Sequence, residues 1–148
     1  ASVQEEVGLR GATTAAYGLV PDLAVAIDVT HGEAPGLTPP DVFEMGGGPV
    51  VSVGPNYHPQ LTRRLEEVAR RHRFTVQRDA DPGSSGTDAW AIQVSREGIP
   101  CALLSVPLRY MHTTVELLNL DDLTNTGRLL ASFAGSIERP FVEGLACY

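Results

Sequence analysis

Four side chains that can bind a metal ion or transfer a proton stand where predicted strands end. Glu5 and Glu6 follow the first few residues, Asp28 lies near the end of the apolar stretch DLAVAIDVT, and His112 follows PLRYM. In α/β proteins, sites are built at the carboxyl ends of strands, and loops carry most ligand and catalytic residues. Two glutamates, one aspartate and one histidine form an oxygen and nitrogen ligand set suited to Zn, Co or Mn. The sequence therefore indicates a candidate metal centre.

Each of these residues also has a purely structural interpretation. Pairs of adjacent glutamates are common on solvated surfaces, and His112 is equally compatible with a structural histidine. Asp28 favours a functional role more strongly, because a carboxylate inside an apolar strand must be paired, hydrogen-bonded or metal-bound. The remaining histidines, His31, His58 and His72, are interpreted as structural or solvent-exposed.

The elements that must position these residues are predicted from hydrophobic periodicity. The clearest helix is 58–72, in which Leu61, Leu65, Val68 and Ala69 share one face. Further helices are predicted at 8–19, 87–98 and 120–137, strands at 1–4, 22–30, 49–54, 74–79 and 100–108, and loops at 31–48 and 80–86. Strands that alternate with helices predict an α/β fold with helices on both faces of a sheet.

Two of these elements carry more detailed predictions. The stretch 22–30 is almost continuously apolar, which is typical of a strand buried on both faces. The closing helix 120–137 is predicted to be capped by Asp121 or Asp122. Its predicted buried residues are Leu123, Leu130, Phe133 and Ile137.

Composition limits the class of protein and its partners. The chain has 148 residues, of which 43% are hydrophobic, enough for one globular domain with a sizeable core. A formal net charge of -7 argues against a nucleic-acid or anionic-membrane partner. No stretch approaches the ~18 apolar residues of a membrane span. Cys101 and Cys147 do not make a disulfide framework, so a reduced, cytoplasmic protein is the expectation.

Five motifs resemble those of the tetrahedral aminopeptidases, and they occur in the same order. They are SVQEEVGLRGA, AIDVTHGEAPG, GGGPVV, SGTDAWAI and PLRYMHTTVE. This family consists of co-catalytic metallopeptidases related to glutamyl aminopeptidase, many of which were once labelled cellulase M or endoglucanase. The resemblance extends from Ser2 to about Leu130. It implies a three-layer α/β/α fold with a mixed sheet of the zinc-peptidase (phosphorylase/hydrolase-like) type.

The resemblance also implies a role for each candidate residue. Glu5 matches the general base that takes a proton from the attacking water. Glu6 and His112 match ligands of one metal ion, and Asp28 matches a ligand of the other. Adjacent residues of a regular strand point to opposite faces, so the backbone must leave strand geometry at Glu5 and Glu6 if both serve one site. The Val7-Gly8 pair that follows fits such a turn.

Part of the family's catalytic domain has no counterpart in this sequence. In the family, an upstream histidine completes the site of the Asp28 metal, and an upstream aspartate bridges both ions. Only four residues precede Glu5, and an inserted small β-domain is also missing. We therefore expect residues 1–148 to be the C-terminal part of one catalytic domain. With so few ligands, this chain alone is expected to bind metal weakly and to be nearly inactive.

Weaker substrate-binding assignments fall on two other motifs. Gly86, Thr87 and Asp88 lie where a loop enters a helix, and their backbone amides could meet an anionic group; simple helix capping is an equal alternative. Arg109, three residues before His112, could reach a carboxylate or carbonyl of the substrate, or form a structural salt bridge.

The predicted function is a dinuclear aminopeptidase that acts on peptides and assembles into a homo-oligomer, by family resemblance a dodecamer. A glycoside hydrolase is the first alternative, but it needs two carboxyl groups facing each other across a sugar, roughly 5–9.5 Å apart. Glu5 and Glu6 are neighbours in sequence, and this chemistry leaves Asp28 and His112 unexplained. The second alternative is a non-catalytic assembly fragment.

Overall fold

The computed structural model of the chain describes residues 1–145, and Cys147 lies outside this range. Its helices are α1 (Arg10–Leu19), α2 (Pro59–His72), α3 (Asp88–Gln93), α4 (Leu120–Gly135) and α5 (Arg139–Glu143). Its strands are β1 (Ala24–His31), β2 (Val50–Val53), β3 (Gln77–Ala80), β4 (Cys101–Arg109) and β5 (Leu117–Leu118). Within residues 1–145, no helix is both long enough and apolar enough to cross a membrane.

The strands form one mixed sheet in the order β1-β4-β2-β3, with β5 paired to β4. β1 and β4 are parallel, with Asp28 opposite Ser105, whereas β2 is antiparallel to β4 and parallel to β3. The carboxyl ends of β1 and β4 therefore meet at one edge of the sheet. β2 ends at the opposite edge, so residues that follow β1 and β4 are the ones that can share a site.

Helices cover both faces of the sheet and create two cores. On one face, α2 and α4 pack on the sheet through a cluster that contains Val51, Leu61, Leu65, Val68, Ala69, Ala102, Leu104, Leu129 and Phe133. On the other face, α1 packs against α3, and Ala89 of α3 meets Ala26 of β1 and Leu103 of β4. The three-layer α/β/α fold is thus confirmed, and so is the apolar face of α2, whose four predicted residues are all buried.

The prediction for β1 is only partly correct. β1 is a strand, but it is an outer strand of the sheet, with β4 as its neighbour. Its side chains are mostly half-buried rather than covered on both faces. Ile27 is 52% exposed. An apolar run indicates a strand, but it does not reveal how many neighbours that strand has among the described residues.

The closing helix α4 begins differently from the prediction. Asn119 is its N-cap, and the Asn119 side chain accepts a hydrogen bond from the amide of Asp121 at 2.8 Å. Leu123, predicted to be buried, is 48% exposed, because Asp122 takes the inward position in the first turn. Phe133 is buried as predicted, and Leu130 and Ile137 are partly buried against the same core. The short elements β5 and α5 were not predicted.

Asp122 ties α4 to the glycine-rich loop that leads into β2. It is almost fully buried, and its two carboxylate oxygens accept hydrogen bonds from the amides of Gly46 at 2.7 Å and Gly48 at 2.8 Å. Gly48 has a φ of +90°, and a Cβ there would lie 2.1 Å from the carbonyl oxygen of Thr75. The loop therefore needs both the glycine and the carboxylate.

Replacing Asp122 with Ala is expected to lower the free energy of unfolding by about 3 kcal/mol, since hydrogen bonds to a charged acceptor contribute ~1.5–3 kcal/mol each. Chemical denaturation measures this change. Asp121→Ala is the matched control, because Asp121 is the exposed neighbour in the same helical turn and should cost no more than ~1 kcal/mol through the helix dipole. Equal losses for the two variants would contradict the role of Asp122.

Candidate metal centre

Glu5 and Glu6 lie in a tight turn that closes onto the start of α1. The carbonyl oxygen of Glu5 accepts hydrogen bonds from the amides of Gly8 at 3.2 Å and Leu9 at 2.9 Å. The carbonyl of Val3 accepts the amide of Gly11 at 2.9 Å, and a Cβ on Gly11 would lie 2.4 Å from the Val3 nitrogen. Residues 1–4 are therefore not the predicted strand, but the predicted departure from strand geometry at the two glutamates is confirmed.

Asp28 lies in β1, on the face of the sheet that α1 and α3 cover. Ala26, two residues earlier in the strand, packs on that face against Ala89 of α3. The Asp28 side chain is half-buried, and its Oδ1 accepts a hydrogen bond from the amide of Val29 at 2.8 Å. The strand thus holds this carboxylate in a fixed place at the carboxyl-end edge of the sheet.

His112 follows β4 in a tight turn at the same edge. Its Nε2 lies 3.1 Å from Oε1 of Glu6, although the two residues are 106 positions apart in the sequence. Both side chains are largely exposed, His112 by 67% and Glu6 by 71%. The turn brings an imidazole nitrogen and a carboxylate oxygen into direct contact at the surface of the site.

One cavity of about 260 Å³ collects the predicted catalytic and metal-binding residues. Glu5, Glu6, Asp28 and His112 all line it, together with Thr30, His31, Gly86, Thr87 and Met111. Larger cavities lie elsewhere, one of about 540 Å³ beside Leu23 and Phe133 and one of about 410 Å³ beside Tyr57 and Cys101. Neither contains any of the predicted site residues.

Asp88 and Arg109 do not line this cavity. The hydroxyl of Ser2 donates a hydrogen bond to Oδ2 of Asp88, and Oδ1 of Asp88 is buried without a hydrogen-bond partner in the described part of the chain. Arg109 Nε is likewise buried without a partner, and Arg109 makes no ion pair within residues 1–145, so the alternative of a structural salt bridge finds no partner there. The Thr87 side chain makes no capping bond to α3; it contacts the hydroxyl of Ser85 at 2.8 Å instead.

The carboxylates of the site repel one another. Burial raises the pKa of Glu5, and the charges of Asp28, Glu6 and Asp88 raise this pKa further. Burial also raises the pKa of Asp28, and the nearby Asp88 and Glu6 add to that effect while the Val29 amide opposes it. His112 lowers the pKa of both groups. A bound cation would relieve this repulsion in the same way, since an opposite charge nearby favours the ionised carboxylate.

The donor atoms fit divalent metal ions in type, but they are few. Within residues 1–145, no three His, Cys, Asp or Glu side chains are grouped closely enough to hold an ion by themselves. The contact between His112 Nε2 and Glu6 Oε1 is 3.1 Å, close to the ~3.3 Å that separates two ligand atoms of one tetrahedral ion with bonds of ~2.0–2.1 Å. Asp28 stands apart from that pair as a separate oxygen donor.

Two residues that contact the predicted site residues from outside the cavity were not predicted. Glu116 accepts a hydrogen bond from the backbone amide of His112, and the Ser2 hydroxyl donates one to Asp88. Both residues lie inside the motifs SVQEEVGLRGA and PLRYMHTTVE, but no hydrophobic or ligand spacing marked them, because each acts through a contact made by the folded turn.

Comparisons with known proteins agree on one family. The profile of the family described as M42 glutamyl aminopeptidase matches residues 1–129. The lysyl aminopeptidase of Pyrococcus furiosus is 45% identical over 129 residues, which cover 87% of this chain and 37% of that protein.

Solved structures show the same fold. A TET aminopeptidase from a marine sediment Thaumarchaeota archaeon superposes with a TM-score of 0.90 at 34% identity, covering 97% of this chain and 41% of that one. The TET1 peptidase of Pyrococcus horikoshii, described as assembling into a tetrahedron or a large octahedral shell, gives a TM-score of 0.72 at 31% identity, with 92% of this chain and 40% of that chain covered. The chain thus spans about two fifths of the length of these relatives.

Proposed function

The chain belongs to the M42 glutamyl aminopeptidase family, and on that basis we propose that it forms the C-terminal part of the catalytic domain of a metal-dependent aminopeptidase. Such an enzyme hydrolyses the first peptide bond of a peptide. The observation that carries the proposal is the meeting of Glu5, Glu6, Asp28 and His112, which come from three separate segments of the chain, around one cavity.

Two divalent ions are proposed at this cavity. Glu6 and His112 would hold one ion, since their donor atoms already lie 3.1 Å apart, and Asp28 would hold the other. When bound, such ions would polarise the scissile carbonyl and lower the pKa of the attacking water. The oxygen and nitrogen donors accept Zn, Co or Mn.

Glu5 is proposed as the general base. Both glutamates line the cavity, but Glu6 is the one that contacts His112, and this difference supports separate tasks for the two. Glu5 would accept the proton of the attacking water and then deliver it to the leaving amine. Burial and the surrounding carboxylates raise its pKa, which moves Glu5 toward the range in which a base can also return its proton near neutral pH.

The remaining metal ligands are proposed to come from the part of the catalytic domain that the longer relatives carry outside the matched region. Catalytic metal sites generally use three protein ligands for each ion, and here the chain supplies two for one ion and one for the other. We therefore propose that residues 1–148 alone bind metal weakly and are nearly inactive.

Substrate binding and assembly complete the proposal. Gly86 and Thr87 line the cavity, and Asp88 and Arg109 each have a buried polar atom without a hydrogen-bond partner in residues 1–145; all four are proposed to contact the peptide. Because the related Pyrococcus horikoshii peptidase is described as assembling into a tetrahedron or an octahedral shell, and a related structure as a dodecamer, we also propose a homo-oligomer, by family resemblance a dodecamer.

The proposal is tested on the protein at its full natural length, assayed on aminoacyl nitroanilides before and after treatment with a chelator. Activity should disappear on chelation and return when Zn, Co or Mn is added, because the proposed chemistry depends on bound ions. Soluble cellulose oligomers serve as the comparison substrate. Chelator-resistant cleavage of the nitroanilides, or metal-independent cleavage of the cellulose oligomers, would contradict a metallo-aminopeptidase.

A further inference from the structure

A carboxylate outside the cavity holds the backbone of the turn that carries His112. Oε1 of Glu116 accepts a hydrogen bond from the backbone amide of His112 at 2.8 Å. The Thr113 hydroxyl lies 2.7 Å from the carbonyl oxygen of Tyr110 and 2.8 Å from that of Val115. The turn is therefore closed by side chains, and Glu116 supplies the contact made directly to His112.

This turn has a backbone that side chains normally avoid. Tyr110 has a φ of 64° and His112 a φ of 61°, so two residues that carry a Cβ lie in the left-handed region within one turn. Such a conformation costs roughly 1–3 kcal/mol per residue and persists only when surrounding contacts impose it. Without its contacts, the turn would relax toward ordinary backbone angles.

The backbone angle at His112 determines where its ring points. Nε2 reaches Oε1 of Glu6 only because the turn directs the side chain back across the cavity edge toward the start of the chain. The pair is largely exposed, so tight packing does not hold the ring in place. The backbone must supply that restraint.

We propose that Glu116 is a positioning residue for His112: its carboxylate locks the amide of His112 and thereby aims Nε2 at the donor atom of Glu6. The inference rests on the proposed metal-binding role of His112. Glu116 does not line the cavity, and its Oε1 is engaged by the amide, so it acts through His112 rather than on substrate or metal.

Two substitutions of equal length test this role in the full-length protein. Glu116→Gln keeps an oxygen acceptor for the His112 amide, whereas Glu116→Met has the same reach but no such acceptor. The affinity for Zn²⁺ is measured by competition with a chromophoric chelator, and kcat and KM are measured on an aminoacyl nitroanilide. Glu138→Met is the control, since Glu138 is an exposed glutamate whose side chain makes no capping bond to α5.

Glu116→Met is expected to lower the affinity for one of the two ions by about 10- to 100-fold, the usual effect of losing a residue that orients a ligand. The affinity for the other ion should be unchanged. At saturating metal its kcat should fall with little change in KM. Glu116→Gln should stay within about threefold of the parent protein, and Glu138→Met should match the parent. The inference would be overturned if Glu116→Met kept parental Zn²⁺ affinity, or if Glu116→Gln were as impaired as Glu116→Met.

His112→Ala separates this inference from the proposed function. If His112→Ala binds both ions normally, the proposed metal assignment fails, and with it the positioning role. If His112→Ala loses an ion while Glu116→Met keeps both, only the positioning role fails. Circular dichroism of each variant establishes that the fold is intact, and Glu116→Ala provides a second acceptor-free variant should the methionine disturb it.

Discussion

Replacing Glu5 with Gln is expected to lower kcat for peptide hydrolysis by about 10²- to 10⁴-fold in the full-length protein, the contribution typical of a general base. Glutamine has nearly the same shape and still fits the turn closed by the amides of Gly8 and Leu9, but it cannot accept a proton. Metal content should be unchanged, because the neighbouring Glu6 rather than Glu5 contacts His112. Steady-state kinetics together with metal analysis measure both quantities.

The control for this experiment is Glu138→Gln, which changes an exposed carboxylate that does not line the cavity and should leave kcat unchanged. Loss of a metal ion in Glu5→Gln would show that Glu5 is a ligand and that the two glutamates have exchanged roles. Parental activity in Glu5→Gln would remove the general-base assignment altogether.

The second large effect concerns which residues share an ion. Alanine at either Glu6 or His112 is expected to remove the same ion and to lower kcat/KM at least 100-fold. The double variant should lose little more than either single variant, because ligands that act as one unit are strongly non-additive. Asp28→Ala is expected to lower the affinity for the other ion. Metal titration of the three single variants and the double variant gives the number of ions bound and the affinity for each.

His72→Ala is the matched control for His112→Ala. His72 lies at the end of α2, where its ring stacks against Phe74, and it does not line the cavity. This variant should bind both ions. Additive losses in the Glu6 and His112 double variant would contradict a shared ion, and loss of one common ion in all three single variants would place Asp28 on the same metal as Glu6.

Long periodic segments could be predicted well from the sequence. Leu61 and Leu65 lie where the helical repeat of α2 places them, because burying an apolar stripe is the dominant local signal. The predictions were wrong where a single tertiary contact determines which side chain is buried. Asp122 turns inward because its carboxylate binds the Gly46 and Gly48 amides, and this moves Leu123 toward solvent. The spacing of apolar residues along α4 could not predict this contact, because the loop lies far from α4 in the sequence.

The candidate site shows the same division. That Glu5 and Glu6 must leave strand geometry follows from their adjacency alone, and the turn confirms it. The contact of Glu6 with His112 could be predicted only through the family resemblance, since it joins residues 106 positions apart. Glu116 could not be found from residue types at all, because its partner is a backbone amide, which every residue but proline possesses.

The separation of Glu6 from His112 has a consequence for how the protein is made. A ribosome adds roughly 5–20 residues per second, so the 106 positions between Glu6 and His112 correspond to roughly 5 to 20 s of synthesis. For most of that interval, from the completion of β1 at His31 to the start of β4 at Cys101, β1 with Asp28 has been made while its neighbour β4 has not. The carboxylates of Glu6 and Asp28 are therefore present in the nascent chain before His112 has been added. The proposed ion shared by Glu6 and His112 can therefore be bound by both ligands only after His112 has been synthesised.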